Sequence, residues 1–286
     1  MKIFHFFQQI QKSFNAPFIP CITLGFRYLP TLHVETFYQT LPQIEIIHSD
    51  IRLDFEEDPH SKTFHGFVEF EEHKILILGN PAPLPESIIT SCIHTAHWEK
   101  SFKEEILGSK ATITLVYAGN SQNPVENYIA IYKIASCFYT PNLLGVINEP
   151  AWTYHPTGLL PKLMFNNMVN LCRNSPPFLF WTGFIKTSLD IHSPFTHQKT
   201  NCFFTKGHHV LGFPDFAFYS DKVDPMKVKK LFNDIIEYAW FENKDLQPGD
   251  YVGLQENEIY ELVEPDENID FLYSPTKTFI LRPMNN

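Results

Sequence analysis

Apolar positions along this chain follow two rhythms, one of short continuous runs and one of helical spacing, and the rhythms succeed each other in a repeated order. Phe18 to Phe26 (FIPCITLGF) is short, continuously apolar and rich in β-formers, which predicts a buried strand. From Thr31 to Leu41, just after Pro30, the residues Leu32, Phe37 and Leu41 share one side of a predicted helix. Strands are predicted over Thr63 to Phe70 and Lys74 to Leu78, separated by the charged Glu71, Glu72 and His73. After the breaker NPAPLP, the stripe Ile89, Cys92, Ile93 and Ala96 predicts a helix from Glu86 to Trp98.

The same order then recurs. Ala111 to Ala118 (ATITLVYA) reads as a strand, and Asn123-Pro124-Val125-Glu126 supplies a cap, a proline at the first helical position and a glutamate placed for a capping box. The strand Leu143 to Ile147, an inserted helix over Leu159 to Cys172, and the strand Phe178 to Lys186 beyond Pro176-Pro177 follow. Thr200 to Phe204 and Phe213 to Tyr219 read as strands, the second apolar on both faces and therefore covered on both. Asp224-Pro225 opens a helix with the wide stripe Val228, Leu231, Phe232, Ile235, Ile236 and Ala239. Short strands are expected over Tyr251 to Leu254, Ile259 to Val263 and Thr278 to Leu281. The expected fold class is α/β of the α+β type, with mixed sheets covered by helices in two similarly patterned strand-helix-strands-helix halves, residues 1–105 and 106–286.

Composition fits a folded body. At 286 residues and 44% hydrophobic, the chain can bury roughly 75% of the surface that its unfolded form exposes. Cys21, Cys92, Cys137, Cys172 and Cys202 show no C-x-x-C spacing and mostly lie in apolar runs, as buried thiols of a reducing compartment do. Near the start, Ile3, Phe6, Phe7, Ile10 and Phe14 fall at helical spacing, while Gln8, Gln9, Gln11 and Lys12 interrupt any signal-peptide core. No run approaches the ~20 apolar residues of a membrane span. A cytoplasmic protein that neither enters nor crosses a membrane is expected.

Charge narrows the partners. A formal net charge of -10 argues against nucleic acid, whose phosphates demand clustered Lys and Arg. Acidic residues concentrate between Glu242 and Asp270, including Asp250, Glu256, Glu258 and Glu261, and again at Asp50, Asp54, Glu56, Glu57 and Asp58. Such runs are ordinarily solvated surface, and they also steer a basic partner by long-range attraction.

Candidate chemistry is sparse. His94-x-x-His97 has a spacing that lets two imidazoles share a metal from one helix face, but it lacks the HExxH glutamate. The densest ligand cluster runs from Asp190 to His209 and holds His192, His197, Cys202, His208 and His209 at irregular spacing. A zinc site there would support metal-assisted hydrolysis. Gly119-Asn120-Ser121 is an incomplete nucleophile elbow, Gly108-Ser109-Lys110 an incomplete phosphate loop, and no G-x-G-x-x-G follows a strand. Gly207, Gly212, Gly249 and Gly253 read as turn chemistry.

Several features lie in a recognisable order. They are Ala82-Pro83-x-Pro85 before a helix ending in Trp98, Lys110-Ala111 opening TITLVY, Lys206-Gly207, Gly212-Phe213-Pro214-Asp215, a Pro-initiated helix, and Gly249-Asp250-x-Val252-Gly253. In these the chain resembles a bacterial family catalogued as domain of unknown function 4261. Where members of that family carry two acidic residues one apart, this chain has Asp215-Phe216-Ala217, which removes one carboxylate of such a pair. The resemblance implies an intracellular accessory or immunity protein of the kind found beside polymorphic toxins and type VI secretion genes. The reading that follows is an antitoxin that blocks a basic toxin domain through an acidic surface, with Asp215, Asp250, Glu256, Glu258 and Glu261 as partner-binding candidates. The competing readings are the metal-dependent hydrolase and a subunit of a larger assembly. A site, if present, is expected between His192 and Gly253.

Overall fold

The computed structural model describes residues 19–193, 196–255, 258–265 and 272–284; at 189–193, 196–199, 254–255 and 258 it describes the backbone only. The expected N-terminal amphipathic helix and Phe18 lie outside the described residues. The chain forms two compact units, Met1–Pro177 and Phe178–Asn286.

The first unit is built on β1 (Cys21–Phe26), α1 (Val34–Ile44), β2 (Arg52–Asp58), β3 (Thr63–Phe70) and β4 (His73–Asn80). A helical turn, Glu86–Ile88, then runs into a π turn, Ile89–His94. After it come α2 (Lys100–Leu107), β5 (Ala111–Tyr117), α3 (Pro124–Cys137), β6 (Leu143–Asn148), β7 (Thr153–Pro156), α4 (Leu159–Met164) and α5 (Met168–Asn174). Its seven strands form one sheet in the order β2-β3-β4-β5-β1-β6-β7, antiparallel at every pairing.

The middle of this sheet is buried on both faces. Ile22, Leu24 and Phe26 lie on the face of Ile75, Ile77, Ile113 and Leu115, where α3 packs on β1, β4 and β5 and α1 packs on α3. On the opposite face, a Cβ on Gly25 would stand 2.5 Å from Ile106 of α2, so glycine here admits the second helical layer. Strands covered on both faces read as unbroken apolar runs, which is why β1 and β5 were legible. Toward the free edge only one face is covered, and β4 alternates buried and half-buried residues.

The second unit contains α6 (Phe178–Trp181), β8 (Gly183–Ser193), β9 (Thr196–Lys206), a 3-10 turn His208–Leu211, β10 (Asp215–Tyr219), α7 (Pro225–Phe241), β11 (Tyr251–Gln255), β12 (Glu258–Val263) and β13 (Thr278–Pro283). The sheet order is β11-β12-β13-β10-β9-β8, with β10 and β13 parallel and the other pairs antiparallel. Asp224 caps α7 by accepting the Met226 N–H at 3.0 Å. Its stripe buries Phe232 between Phe216 (5.9 Å) and Phe184 (6.1 Å).

The α+β class holds, with helices covering an antiparallel and a mixed sheet. The division between residues 105 and 106 does not. β5 is hydrogen-bonded to β4 on one side and β1 on the other, so cutting there would leave two inner strands with unpaired edges. The second expected run, which begins at β5 and closes with α7, therefore spans both units, and the chain divides after Pro177.

Three helices differ from expectation for identifiable reasons. The helix over Glu86 to Trp98 ends at His94 in the π turn, and a separate α2 follows. The helix over Leu159 to Cys172 breaks where Asn166 (φ 58°) and Asn167 (φ 64°) turn left-handed. Phe178–Trp181 is a helical turn, and the strand expected there starts at Gly183. Cys92, Cys137, Cys172 and Cys202 are buried, Cys21 is half-buried, and all five are free thiols. No helix of the described residues is long and apolar enough to cross a membrane.

Candidate functional site

The residues singled out in the second unit do not form one site. Asp215, at the start of β10, is fully buried and so cannot touch a partner. Gly207 (φ 97°) and Gly212 (φ 83°) bracket the 3-10 turn and swing it back over this carboxylate. Its Oδ1 accepts the His208 N–H at 3.2 Å and the Thr205 hydroxyl at 3.3 Å, and Oδ2 accepts the Ser274 hydroxyl at 2.7 Å. His208 Nδ1 lies 3.8 Å and His209 Nδ1 3.7 Å from its oxygens. Burial alone would raise the pKa of Asp215, but the His209 and His208 imidazoles and the Ser274 hydroxyl outweigh it and hold the carboxyl below its usual range. Burial pushes His208 down, so its ring is neutral at neutral pH. Lys206 is buried too, its ammonium donating to the Tyr273 carbonyl at 2.5 Å. The cluster is a polar knot that ties the β9–β10 connection to the chain before β13.

The other candidates are scattered. His192 and His197 are backbone partners in the β8–β9 hairpin, about nine strand residues from His208, or roughly 30 Å at ~3.3 Å per residue. Asp190 pairs with Lys199 in the same hairpin, and the side chains of Asp190, His192 and His197 lie outside the described residues. Cys202 is buried on β9. The expected Asp190 to His209 metal cluster is thus drawn out along two strands. Among the described residues no group of three or more His, Cys, Asp or Glu is placed to hold a metal ion.

Asp250 closes the turn before β11 by accepting the Gln247 N–H at 3.0 Å, with Lys244 3.6 Å away. β12 and β13 separate it from Asp215, so the two aspartates do not share a pocket. Glu261 pairs with Arg282 at 2.5 Å, the side chain of Glu258 is not described, and Glu256 lies outside the described residues. His94 ends the π turn and His97 follows it, so they are not one α-helical turn apart.

The site that the fold does assemble lies in the first unit. Lys133, the single cation in the apolar run IAIYKIAS of α3, is 1% exposed, and its ammonium lies 2.5 Å from Glu45 Oε2 and 5.7 Å from the Phe70 ring centroid. Arg173 of α5 bridges Glu45, just past α1, and Glu126, in the first turn of α3. A guanidinium has five N–H donors. All are engaged here: Nε with Glu126 Oε1 (2.6 Å), Nη1 with Glu45 Oε1 and Asn170 Oδ1 (3.3 Å), and Nη2 with Glu45 Oε2 (3.0 Å) and Glu126 Oε2 (3.0 Å). Two cations and two carboxylates close at zero charge. Burial opposes ionisation of Glu45, but Arg173 and Lys133 lower its pKa to about 2.

Above this network opens a cleft of about 410 Å³. Ile44, Ile46 and Val169 give it an apolar wall, Asn167 and Asn170 supply amides, and Glu71 stands at the rim beside Glu45 and Arg173. Glu71 belongs to the two-residue turn between β3 and β4, held where its N–H donates to the Ser49 hydroxyl at 2.6 Å. From this turn the exposed carboxylates continue along β2, the free edge of the sheet, through Asp50, Asp54, Glu56, Glu57 and Asp58.

A further half-buried carboxyl, Glu149 after β6, accepts the Thr23 hydroxyl at 2.7 Å, and its removal from water raises its pKa. Sequence reading missed Glu45, Glu126, Glu149 and Arg173. The lone lysine inside an apolar helix stripe was the one available signal for the network. No protein-family model matches the chain, nor does any curated protein or solved structure.

Proposed function

We propose that this protein is an immunity-type binding protein that docks a basic protein partner, a toxin domain, along the acidic edge of its first sheet. The observation that carries the reading is the run of exposed carboxylates along β2 and the adjoining turn: Asp50, Asp54, Glu56, Glu57, Asp58, Glu71 and Glu72. Three of them, Asp54, Glu56 and Asp58, alternate along the strand and so share one face, while Leu53 and Phe55 point the other way, with Phe55 against Phe37 at 5.8 Å. Opposing this row are Arg52, Lys62 and His65, whose Nε2 lies 3.4 Å from Glu56, whereas Lys74 is drawn onto the Phe67 ring at 4.0 Å. Carboxylates held in register on a rigid strand attract and orient a basic surface. The resemblance to the family near toxin loci points to the same class of partner, and because Asp215 is inaccessible the docking surface is assigned to the first unit instead of the second.

Charged edges also keep strands from pairing with other chains. Charge reversal separates the two roles, because lysine guards an edge as well as glutamate does. Glu56→Lys/Asp58→Lys should elute as the parent chain does in size-exclusion chromatography. The variant should lose the complex with a basic product of a neighbouring gene, and the protection from that product's toxicity on co-expression. Stable binding by the double variant, or no complex and no protection with any neighbouring gene's product, would sink the reading.

A further inference from the structure

The cleft beside the β3–β4 turn has the makings of a specific pocket. Its fixed charge is unbalanced toward the negative, with His48 as the one further titratable group on the lining. The Lys133-Glu45-Arg173-Glu126 network is neutral and Arg173 has no donor to spare, so an incoming anion would have to displace a carboxylate already bound. Glu71 adds one further negative charge and makes no ion pair among the described residues. The apolar wall of Ile44, Ile46 and Val169 accepts an aliphatic stem.

The backbone around the cleft is costly. Glu71 has φ 52°, Asn166 φ 58° and Asn167 φ 64°, three of the six non-glycine residues with positive φ among those described. A two-residue hairpin turn prefers glycine, asparagine or aspartate at such a position. Glutamate there breaks the local rule, as residues at functional sites do.

We propose that this cleft receives the side chain of a lysine presented by the protein partner, with its ammonium against Glu71 and its stem along Ile44, Ile46 and Val169. The proposal rests on the reading of the acidic edge as the docking surface. A compact ammonium suits a single carboxylate that makes no ion pair among the described residues.

The test is an NMR titration of the full chain with N-acetyl-lysine methylamide, set against the norleucine and glutamate analogues. The lysine compound should shift the Asn167 and Asn170 side-chain signals saturably, with a dissociation constant on the order of millimolar, as suits so small a ligand. The norleucine analogue should bind about tenfold more weakly or worse, having lost its charge. Glu71→Gly should abolish the lysine shifts while leaving the denaturation midpoint equal or higher, and Asn170→Trp should block the cleft. No saturable shift, equal binding of norleucine, or preference for glutamate overturns the proposal. If the capped lysine fails while Glu56→Lys/Asp58→Lys abolishes partner binding, the cleft proposal falls alone. If the capped lysine binds while the charge-reversed edge keeps its partner, the edge reading falls and the cleft stands.

Discussion

The first unit and the second each bury a carboxylate, and they satisfy it by opposite means. Glu45 is neutralised by two full charges, Lys133 and Arg173, while its side chain stays 26% exposed at a cleft. Asp215 is enclosed and is held by hydroxyls, a backbone N–H and two imidazoles. Charge pairing tolerates water nearby and leaves an open rim; a knot of dipoles works only when it is shut. The Glu45 arrangement can therefore border a binding surface, whereas the Asp215 arrangement can only hold the fold together.

Perturbing the two carboxylates should reveal this difference, with effects of decreasing size. Asp215→Ala removes the acceptor for Thr205, Ser274 and the His208 N–H at once and leaves buried donors unpaired, so it should cost about 3–5 kcal/mol in urea unfolding. A loss below about 1 kcal/mol would mean the knot is not structural. Lys133→Met strands Glu45 and Glu126 with Arg173 alone and should cost about 2–3 kcal/mol, less than a fully enclosed pair because Glu45 is partly solvated. Adding Glu45→Met should recover part of that loss, and a purely additive double variant would contradict the pairing.

Acid should act in two stages. His73 and His208 are held neutral by burial below their ordinary 6.5, so the unfolded chain takes up those protons first. Their contribution is present above pH 6.5 and declines as the pH falls below it. Glu45 acts later: its contribution is intact above 4.5 and is lost between 4.5 and about 2. A urea midpoint independent of pH between 7 and 5 would contradict the assignment of the two histidines. The smallest effect is Glu71→Gly, which relieves the left-handed strain and should stabilise by about 1 kcal/mol or less, net of glycine's entropy in the unfolded chain.

Much of the fold was legible because its signals are local. Asn123-Pro124 and Asp224-Pro225 cap α3 and α7, with Val125 N–H donating to Asn123 at 3.0 Å, but the expected capping box does not close, because Glu126 is taken up by Arg173 and the Asn123 N–H donates to the Ser121 hydroxyl at 3.3 Å. The strand β2 was hidden, since Arg52–Asp58 (RLDFEED) reads as an acidic run and its alternation has only Leu53 and Phe55 to mark the inner face. The candidate site was less legible still. Glu45, Glu126, Lys133 and Arg173 come from four separate stretches, and nothing in their spacing announces that α1, α3 and α5 bring them within hydrogen-bonding distance. In the second unit, Asp215, His208 and His209 do meet, as residues close in sequence often do, but burial turns them from a candidate surface into an internal brace.

By itself the sequence determined most of the strands and helices, that β10 is covered on both faces, and that the cysteines are mostly buried. Each follows from side-chain chemistry read over a few neighbouring residues. The tertiary structure alone decided where the chain divides, which acidic run lies on a free edge, and which carboxylates are paired, enclosed or open. Those depend on strand order and on burial, and both are set by contacts between residues far apart along the chain.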